Sequence, residues 1–218
     1  VDFLKQKIDA GYSLMIFPEG TRSPDNDIRR FHKGAFYLSE RLHLDILPVY
    51  LHGLSETVPR DDFFIYNGKI TVTIGSRIPQ SDMETASYSV KTKKINSLFR
   101  KNFAQIRKVE EDENYFRNKL YLSYLYKEDR IVRAVKNDFE KNKILYHQLN
   151  TIIDDNAVIF HIADDWGQID FLLTMQQAKR TVVSFVSDVE KRSVAANGYV
   201  AKKRKITYLD SPVAPSKA

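Results

Sequence analysis

A short apolar run, SLMIF at residues 13–17, stops at Pro18, and two patterned segments follow it. The first, KGAFYLSERLH, places Ala35, Leu38 and Leu42 at helical spacing, and the second, DILPVYLHG, is rich in the residues that strands favour. The order strand, loop, helix, strand is typical of α/β domains, in which strands pair in parallel and ligands bind at the carboxyl ends of strands. The sequence therefore predicts an α/β fold for this part of the chain.

The rest of the chain shows three other patterns. FFIYNGKITVTIGSRIP predicts a β-hairpin about Asn67-Gly68, a dipeptide typical of tight hairpin turns. No proline or glycine interrupts residues 81–153, which predicts long helices, and the residues after 156 alternate strand-like and helix-like segments in the order βαβαβ. The predicted domains are an α/β domain at 1–80, a helical linker at 81–153 and a small Rossmann-like domain at 154–218.

An aromatic stripe in the linker allows two interpretations. Its members recur at roughly helical spacing and are Tyr115, Phe116, Tyr121, Tyr124 and Tyr126. They can line a ligand groove, but an apolar stripe of this kind more often packs against a neighbouring element. We predict a packed helix face.

The composition excludes several kinds of site. Because the chain has no cysteine, it forms no disulfide, thiolate nucleophile or zinc ribbon. No uncharged apolar run approaches the roughly 18 residues that a membrane-spanning helix needs. The formal net charge of +6 favours anionic partners such as phosphorylated metabolites or acidic lipid headgroups. The densest basic cluster, at residues 202–205, lacks interleaved aromatic residues and is predicted to be a solvated turn, so nucleic acid is not an expected partner.

The loop after the first apolar run has the chemistry of a phosphate site. Gly20 allows a tight turn and a close approach of the backbone to a ligand. Arg22 carries a planar, permanently charged fork that suits phosphate oxygens, and Thr21 and Ser23 add hydroxyl donors. Glu19 can fix the arginine or accept a hydrogen bond from a substrate hydroxyl.

Two further residues extend this picture, and one alternative competes with it. Lys33 and Gly34 stand at a predicted helix start, where backbone N–H groups and the helix dipole favour anions. The alternative is a charged surface turn with a local ion pair between Glu19 and Arg22, which would contribute little to stability.

The amino-acid sequence of this loop indicates a function more specifically than the chemistry of its residue types does. FPEGTRS at residues 17–23, followed by RFHKGAF and ILPVYLHG, resembles the PlsC-like family of glycerophosphate and lysophosphatidate acyltransferases over roughly residues 1–79. The resemblance implies transfer of an acyl group from acyl-CoA or acyl carrier protein to a hydroxyl of a glycerol-phosphate-type acceptor, without a metal or another cofactor. It also implies an acceptor site in which Arg22 holds the phosphate; its members are Glu19, Gly20, Thr21, Arg22, Ser23, Lys33 and Pro48.

The chain departs from the family in the catalytic block. Catalysis in the family depends on a His-x4-Asp pair in which histidine takes the proton of the acceptor hydroxyl. None of the five histidines here has an aspartate five residues further along the chain. We therefore expect a fragment of a longer protein that is inactive by itself and whose parent works at the cytoplasmic face of a membrane. The competing hypothesis is a non-catalytic module that binds phospholipid headgroups or proteins.

A second, weaker resemblance concerns residues 156–210. VIFHIADDWGQIDFLL is similar to the first motif of class I methyltransferases, with His161 in the place of the expected acid. Of the three glycine positions, Ala163 and Asp165 have lost the glycine and Gly167 keeps it. Because two glycines that allow close cofactor approach are replaced, we predict a degenerate domain that binds no cofactor. The alternative is an S-adenosylmethionine-dependent methyltransferase.

Overall fold

The computed structural model describes residues 1–23, 26–60, 63–83 and 87–212. The chain folds as two compact units, residues 1–109 and 110–218. Both contain helices and strands, and the predicted α/β class is confirmed. The division into three domains stays a prediction, because the predicted linker contributes helices to both units, and residues 84–86 and 213–218 of the predicted domains lie outside the described residues.

The described residues of the first unit form four α-helices and a two-stranded sheet. Its strands pair antiparallel, with Tyr50 opposite Thr73. The elements are α1 (Asp2–Asp9), α2 (Gly34–Arg41), β1 (Val49–His52), α3 (Leu54–Thr57), β2 (Thr71–Ile74), a 3-10 turn (Gln80–Met83) and the long α4 (Tyr88–Glu110). The predicted helix over residues 33–43 is therefore confirmed, whereas the predicted parallel pairing in this unit is wrong.

The predicted strand at residues 13–17 is also wrong. These residues belong to no helix or strand, and the side chains of Met15 and Phe17 are 72% and 65% exposed. A strand forms only where a neighbouring backbone satisfies its N–H and C=O groups, and no described strand lies beside this segment. The segment has the apolar composition of a strand, but it has no partner strand among the described residues.

The predicted hairpin about Asn67-Gly68 does not form either. A two-residue turn of this kind needs positive φ at both central residues, and neither residue has it. Residues 65–70 have no regular structure, and the strand after them, β2, pairs with β1 instead of with the preceding segment. The strand prediction for residues 71–74 thus holds, but its partner was misassigned.

The core of the first unit is largely aromatic. The Phe31 ring packs edge-on against Phe99 of α4 at 5.1 Å between centroids, and Tyr50 of β1 lies 5.0 Å from the same ring. Ile95 and Phe103, one turn before and after Phe99, complete the buried face of α4. This core fixes the residues just before α2, and so one side of the loop considered below.

The second unit confirms the predicted βαβαβ order. The three strands are parallel, in the order β3, β4, β5, with His161 beside Ser184 and Ser184 beside Tyr208. The elements are α5 (Arg117–Leu122), α6 (Asp129–Ile152), β3 (Val158–Ala163), α7 (Gln168–Gln176), β4 (Thr181–Val186), α8 (Val189–Ala196) and β5 (Ile206–Leu209). Residues 201–205, which contain the basic cluster, form the predicted turn.

The aromatic stripe largely packs against other elements, as predicted. Phe116 and Tyr124 are buried with Phe139 and Phe171, and Tyr115 and Tyr121 pack partly buried against the same core. Tyr126 is the exception, since its side chain is 95% exposed. In the part of the chain that the structure describes, no helix combines the length and the apolar character needed to cross a membrane.

A buried arginine joins several elements of the second unit. The side chain of Arg180, just before β4, is fully buried. Its Nη2 donates to the backbone oxygens of Asn150 at 3.0 Å and Ile153 at 2.5 Å, at the end of α6. Its Nη1 donates to the Leu173 oxygen of α7 at 3.2 Å, and its Nε donates to the Asp154 oxygen at 3.1 Å. The guanidinium thereby gives the Asn150 and Ile153 carbonyls a donor that the end of α6 does not supply. It shares the Leu173 and Asp154 oxygens with the amides of Gln177 and Ala157.

Candidate functional site

The FPEGTRS loop turns sharply at Gly20. The amide of Gly20 donates to the Phe17 oxygen at 3.1 Å, which closes a tight turn. Its φ of +71° lies in the left-handed region that glycine adopts without strain. A side chain at this position would also meet the imidazole of His32, because a Cβ would lie 3.0 Å from its Cδ2 and Nε2 atoms. The positive φ therefore favours glycine here, and a larger residue would also have to displace the exposed ring of His32.

Two hydrogen bonds tie this loop to the segment before α2. The Arg29 amide donates to Glu19 Oε2 at 2.9 Å, and the His32 amide donates to the Pro18 oxygen at 2.8 Å. Burial raises the pKa of Glu19, although the Arg29 amide and charge oppose the shift. Glu19 therefore holds the loop to the backbone of the segment before α2. Among the described residues it does not pair with Arg22, so the surface ion pair considered above is not formed.

The Arg22 side chain is exposed and turned toward a different segment. Its Nη1 donates to the Val58 oxygen at 3.1 Å and its Nη2 to the Arg60 oxygen at 3.4 Å, just after α3. A guanidinium has five N–H donors, so these two bonds leave it able to bind an anion as well. Thr21 is exposed beside it, and Ser23 is half-buried.

The other two predicted site residues lie in different settings. Lys33 is exposed and immediately precedes α2, which begins at Gly34 as predicted. Pro48 is buried before β1, and its oxygen accepts the Gly75 amide at 2.9 Å. The structure thus brings Glu19, Gly20 and Thr21 into one turn with Arg22 beside it, whereas Pro48 shapes the sheet. Their roles as substrate contacts stay predictions.

Sequence reasoning missed the contacts that hold this loop in place. It did not assign Arg29 any role and did not identify the carbonyls that hold Arg22. His32 lies within RFHKGAF, but the sequence contains no signal for the contact between its ring and Gly20. All of these partners lie ten or more residues away along the chain.

The second unit contains a separate buried polar cluster. His161 of β3 lies with Nδ1 2.7 Å from Oδ1 of Asp170 of α7, a residue that is fully buried. Asp165 accepts the Gly167 amide at 3.0 Å, and burial, reinforced by the charge of Asp170, raises the pKa of Asp165. Burial alone would lower the pKa of His161, but the hydrogen bond and charge of Asp170 outweigh it, so the pKa is raised.

This cluster occupies the region that resembles the methyltransferase motif. Gly167 has a φ of +87°, and a Cβ there would lie 2.6 Å from Ala195 Cβ and 2.7 Å from the Tyr208 hydroxyl. The retained glycine is thus needed for packing. Asp188, the acid nearest the expected ribose position, caps α8 by accepting the Lys191 amide at 2.9 Å. These contacts favour a degenerate domain, and the absence of a bound cofactor stays a prediction.

The comparisons with known proteins agree on the first unit. A family model described as Acyltransferase matches residues 1–52. Residues 1–52 are therefore similar to this family. This segment contains the FPEGTRS loop, α2 and β1, and the resemblance predicted for it is confirmed. The family model does not bear on residues 156–210, so the methyltransferase resemblance stays a prediction.

Curated relatives give more detailed names. The chain is 28% identical over 111 residues to human 1-acyl-sn-glycerol-3-phosphate acyltransferase beta, which is 51% of this chain and 40% of that protein. It is 31% identical over 102 residues to the chloroplastic 1-acyl-sn-glycerol-3-phosphate acyltransferase LPAT1 of Arabidopsis thaliana, which is 45% and 29% of the two chains. The chain therefore spans well under half of these relatives.

The chain is also similar to a solved structure. That structure is the 1-acyl-sn-glycerophosphate acyltransferase PlsC from Thermotoga maritima, with a TM-score of 0.44 and 22% identity over 49% of this chain and 43% of that chain.

Proposed function

We propose that the first unit supplies the acceptor-binding loop of a glycerolipid acyltransferase. In the complete enzyme, an acyl group passes from acyl-CoA or acyl carrier protein to a hydroxyl of a glycerol-phosphate-type acceptor such as a lysophosphatidate. Arg22 binds the acceptor phosphate, Thr21 and Ser23 add hydroxyl donors, and Lys33 contributes positive charge. Glu19 and Gly20 hold the turn that presents these groups, and the enzyme works at the cytoplasmic face of a membrane.

The observation that carries this proposal is the turn at Gly20, which two hydrogen bonds hold to the segment before α2. A loop held by Glu19 and by the Pro18 oxygen presents its donors with little reorganisation, which lowers the cost of binding. The same seven residues lie in the segment that matches the acyltransferase family, and the curated relatives are named for action on 1-acylglycerol 3-phosphate. The loop and the names thus support the same acceptor class.

The chain by itself is expected to be inactive. A hydroxyl nucleophile needs a general base, and no histidine of this sequence has an aspartate at the spacing that the family uses. We expect no product above background when the 218-residue chain is incubated with acyl-CoA or acyl carrier protein and lysophosphatidate. Release of free thiol from the donor, coupled to formation of phosphatidate, would contradict this expectation.

Arg22→Ala tests the proposed site in a longer protein that also contains the His-x4-Asp block. Loss of a charge-assisted hydrogen bond costs about 1.5–3 kcal/mol. We therefore expect the acceptor KM to rise by roughly 10- to 100-fold, with the acyl-donor KM unchanged within about twofold. Arg41→Ala, at an exposed position on α2, serves as the control. Equal rises of both KM values would count against a phosphate role for Arg22.

A non-catalytic role is the second candidate, since the sequence lacks the His-x4-Asp pair. In that case the same loop binds the phosphate of a phospholipid headgroup without acylating it. The sequence that flanks this chain in its reading frame distinguishes the two: a His-x4-Asp block supports the enzyme, and its absence supports the binding module.

A further inference from the structure

We propose that His32 is a second phosphate-binding side chain of the FPEGTRS loop and contacts the acceptor together with Arg22. This inference rests on the proposed function of the loop. It adds a residue that the seven-residue motif does not contain.

The position of the ring is the first observation. The Cδ2–Nε2 edge of the His32 imidazole lies against Gly20, close enough that a Cβ on that glycine would be 3.0 Å from both atoms. The imidazole is exposed, and it has no hydrogen-bond partner within the ranges that the structure describes. The ring therefore lies beside the turn, and its nitrogen atoms make no hydrogen bond to the described residues.

Packing does not explain this side chain. The preceding residue, Phe31, is buried in the aromatic core, and the backbone amide of His32 makes the hydrogen bond to Pro18. The aromatic core and the hydrogen bond to Pro18 therefore need only the backbone at position 32. The side chain is available for a ligand.

Both proposed donors are close to Gly20: Arg22 follows it by two residues, and the His32 ring lies against it. Arg22 is anchored on the carbonyls of Val58 and Arg60, and His32 is anchored through its backbone on Pro18. A phosphate monoester has three terminal oxygens, so it can accept from a guanidinium and from an imidazole at the same time. Two anchored donors favour a terminal phosphate over a phosphodiester, which has two free oxygens and less charge.

The role of His32 is testable by phosphate binding to the 218-residue chain. The chain is titrated with sodium glycerol 3-phosphate at constant ionic strength, and amide chemical shifts of residues 17–34 report the affinity. His32→Phe keeps an aromatic ring but removes the donor, and His32→Lys restores a cationic donor without the ring. His43→Phe, the same exchange at an exposed histidine after α2, is the matched control, and Arg22→Ala reports the proposed site itself.

We expect His32→Phe to weaken binding about three- to tenfold, His32→Lys to bind within about twofold of the wild type, and His43→Phe to have no effect. Wild-type affinity in His32→Phe, together with weaker binding in Arg22→Ala, would overturn the role of His32 and leave the proposed site intact. Equal losses in the phenylalanine and lysine variants would assign His32 to packing and also overturn it. A chain that does not bind glycerol 3-phosphate, or that binds it equally without Arg22, would refute the proposed site and this inference with it.

Discussion

Replacement of Arg180 by alanine is expected to lower the free energy of unfolding of the second unit by about 4 kcal/mol. Losses of this size are typical when one member of a buried charged network is removed. The guanidinium is fully buried and donates to the backbone oxygens of Asn150, Ile153, Asp154 and Leu173. Its removal takes away the donor to the Asn150 and Ile153 oxygens, and each buried group left without a partner costs about 1–3 kcal/mol. The Leu173 and Asp154 oxygens keep the amides of Gln177 and Ala157 as donors.

The geometry of the site makes lysine a poor substitute. Arg180 reaches the ends of two helices and the Asn150 side chain at once because its five N–H groups point in fixed directions. A lysine ammonium carries the charge but has only three donors at a single point. We therefore expect Arg180→Lys to be destabilised by about half as much as Arg180→Ala.

Urea unfolding followed by the fluorescence of Trp166 measures this effect, because Trp166 is the only tryptophan and lies in the second unit. Arg133→Ala, at an exposed position of α6, is the matched control and should change stability by less than about 0.5 kcal/mol. If Arg180→Ala unfolds at the same urea concentration as Arg133→Ala, the buried arginine does not hold the helix ends as the contacts indicate.

Elements with strong periodicity could be predicted from the sequence. Residues 129–152 show buried side chains at Ile131, Val135 and Phe139, each four residues apart, which is the signature of one helical face. The βαβαβ order of the second unit was predictable for the same reason, since each apolar run is short and is followed by a helix-like segment. These signals are local, so one sequence contains them completely.

Pairing partners could not be predicted, because pairing is not local. The run at residues 13–17 has strand composition, yet no described strand lies beside it. Asn67-Gly68 favours a tight turn, but β2 gains a partner in β1 with Leu51 opposite Val72, and the turn conformation is not adopted. In both places the tertiary structure outweighs a local preference.

In the candidate site, too, local features could be predicted from the sequence and contacts between distant residues could not. The turn at Gly20 follows from residue type within one short motif. The partners that hold the loop are distant in sequence: Glu19 binds the amide of Arg29, and Arg22 binds a carbonyl 36 residues further along the chain. The motif therefore gives the residues that we propose as phosphate contacts, whereas the structure was needed to identify what positions them.

The buried cluster around His161 and Asp165 is expected to make the stability of the second unit depend on pH. The groups that face His161 and Asp165 are Asp170 of α7, Tyr208 of β5 and Tyr124 after α5. The two tyrosines have pKa values raised by burial and by the nearby carboxylates, so they stay neutral below pH 10. Between pH 5 and 8 the cluster therefore titrates through its histidine and its acids.

The direction of the effect follows from the two raised pKa values. A group whose pKa is higher in the folded state stabilises the fold below its unfolded pKa and loses that contribution as the pH rises through the folded pKa. For His161 the loss begins near the unfolded value of about 6.5, and for Asp165 near about 3.9. Both contributions therefore fall with rising pH. Glu140 and Asp188, whose pKa values are lowered by hydrogen bonds, lose stability only in more acidic solution.

We expect the second unit to be more stable to urea at pH 5.5 than at pH 8, as followed by Trp166 fluorescence. His161→Leu leaves the Asp170 carboxylate buried without its cation, so it should destabilise the unit by about 3 kcal/mol at pH 5.5 and by less at pH 8. Adding Asp170→Asn to this variant removes the unpaired charge and should restore part of the loss.

His147→Leu, at a half-buried position of α6, is the matched control and should keep the wild-type difference between pH 5.5 and pH 8. The outcome that contradicts the cluster is a wild-type unit equally stable at both pH values, or a His161→Leu variant that keeps the full difference. Equal wild-type stability would mean that folding takes up no net protons in this pH range. A His161→Leu variant that keeps the full difference would mean that the protons bind to another group, and not through the 2.7 Å contact between His161 Nδ1 and Asp170.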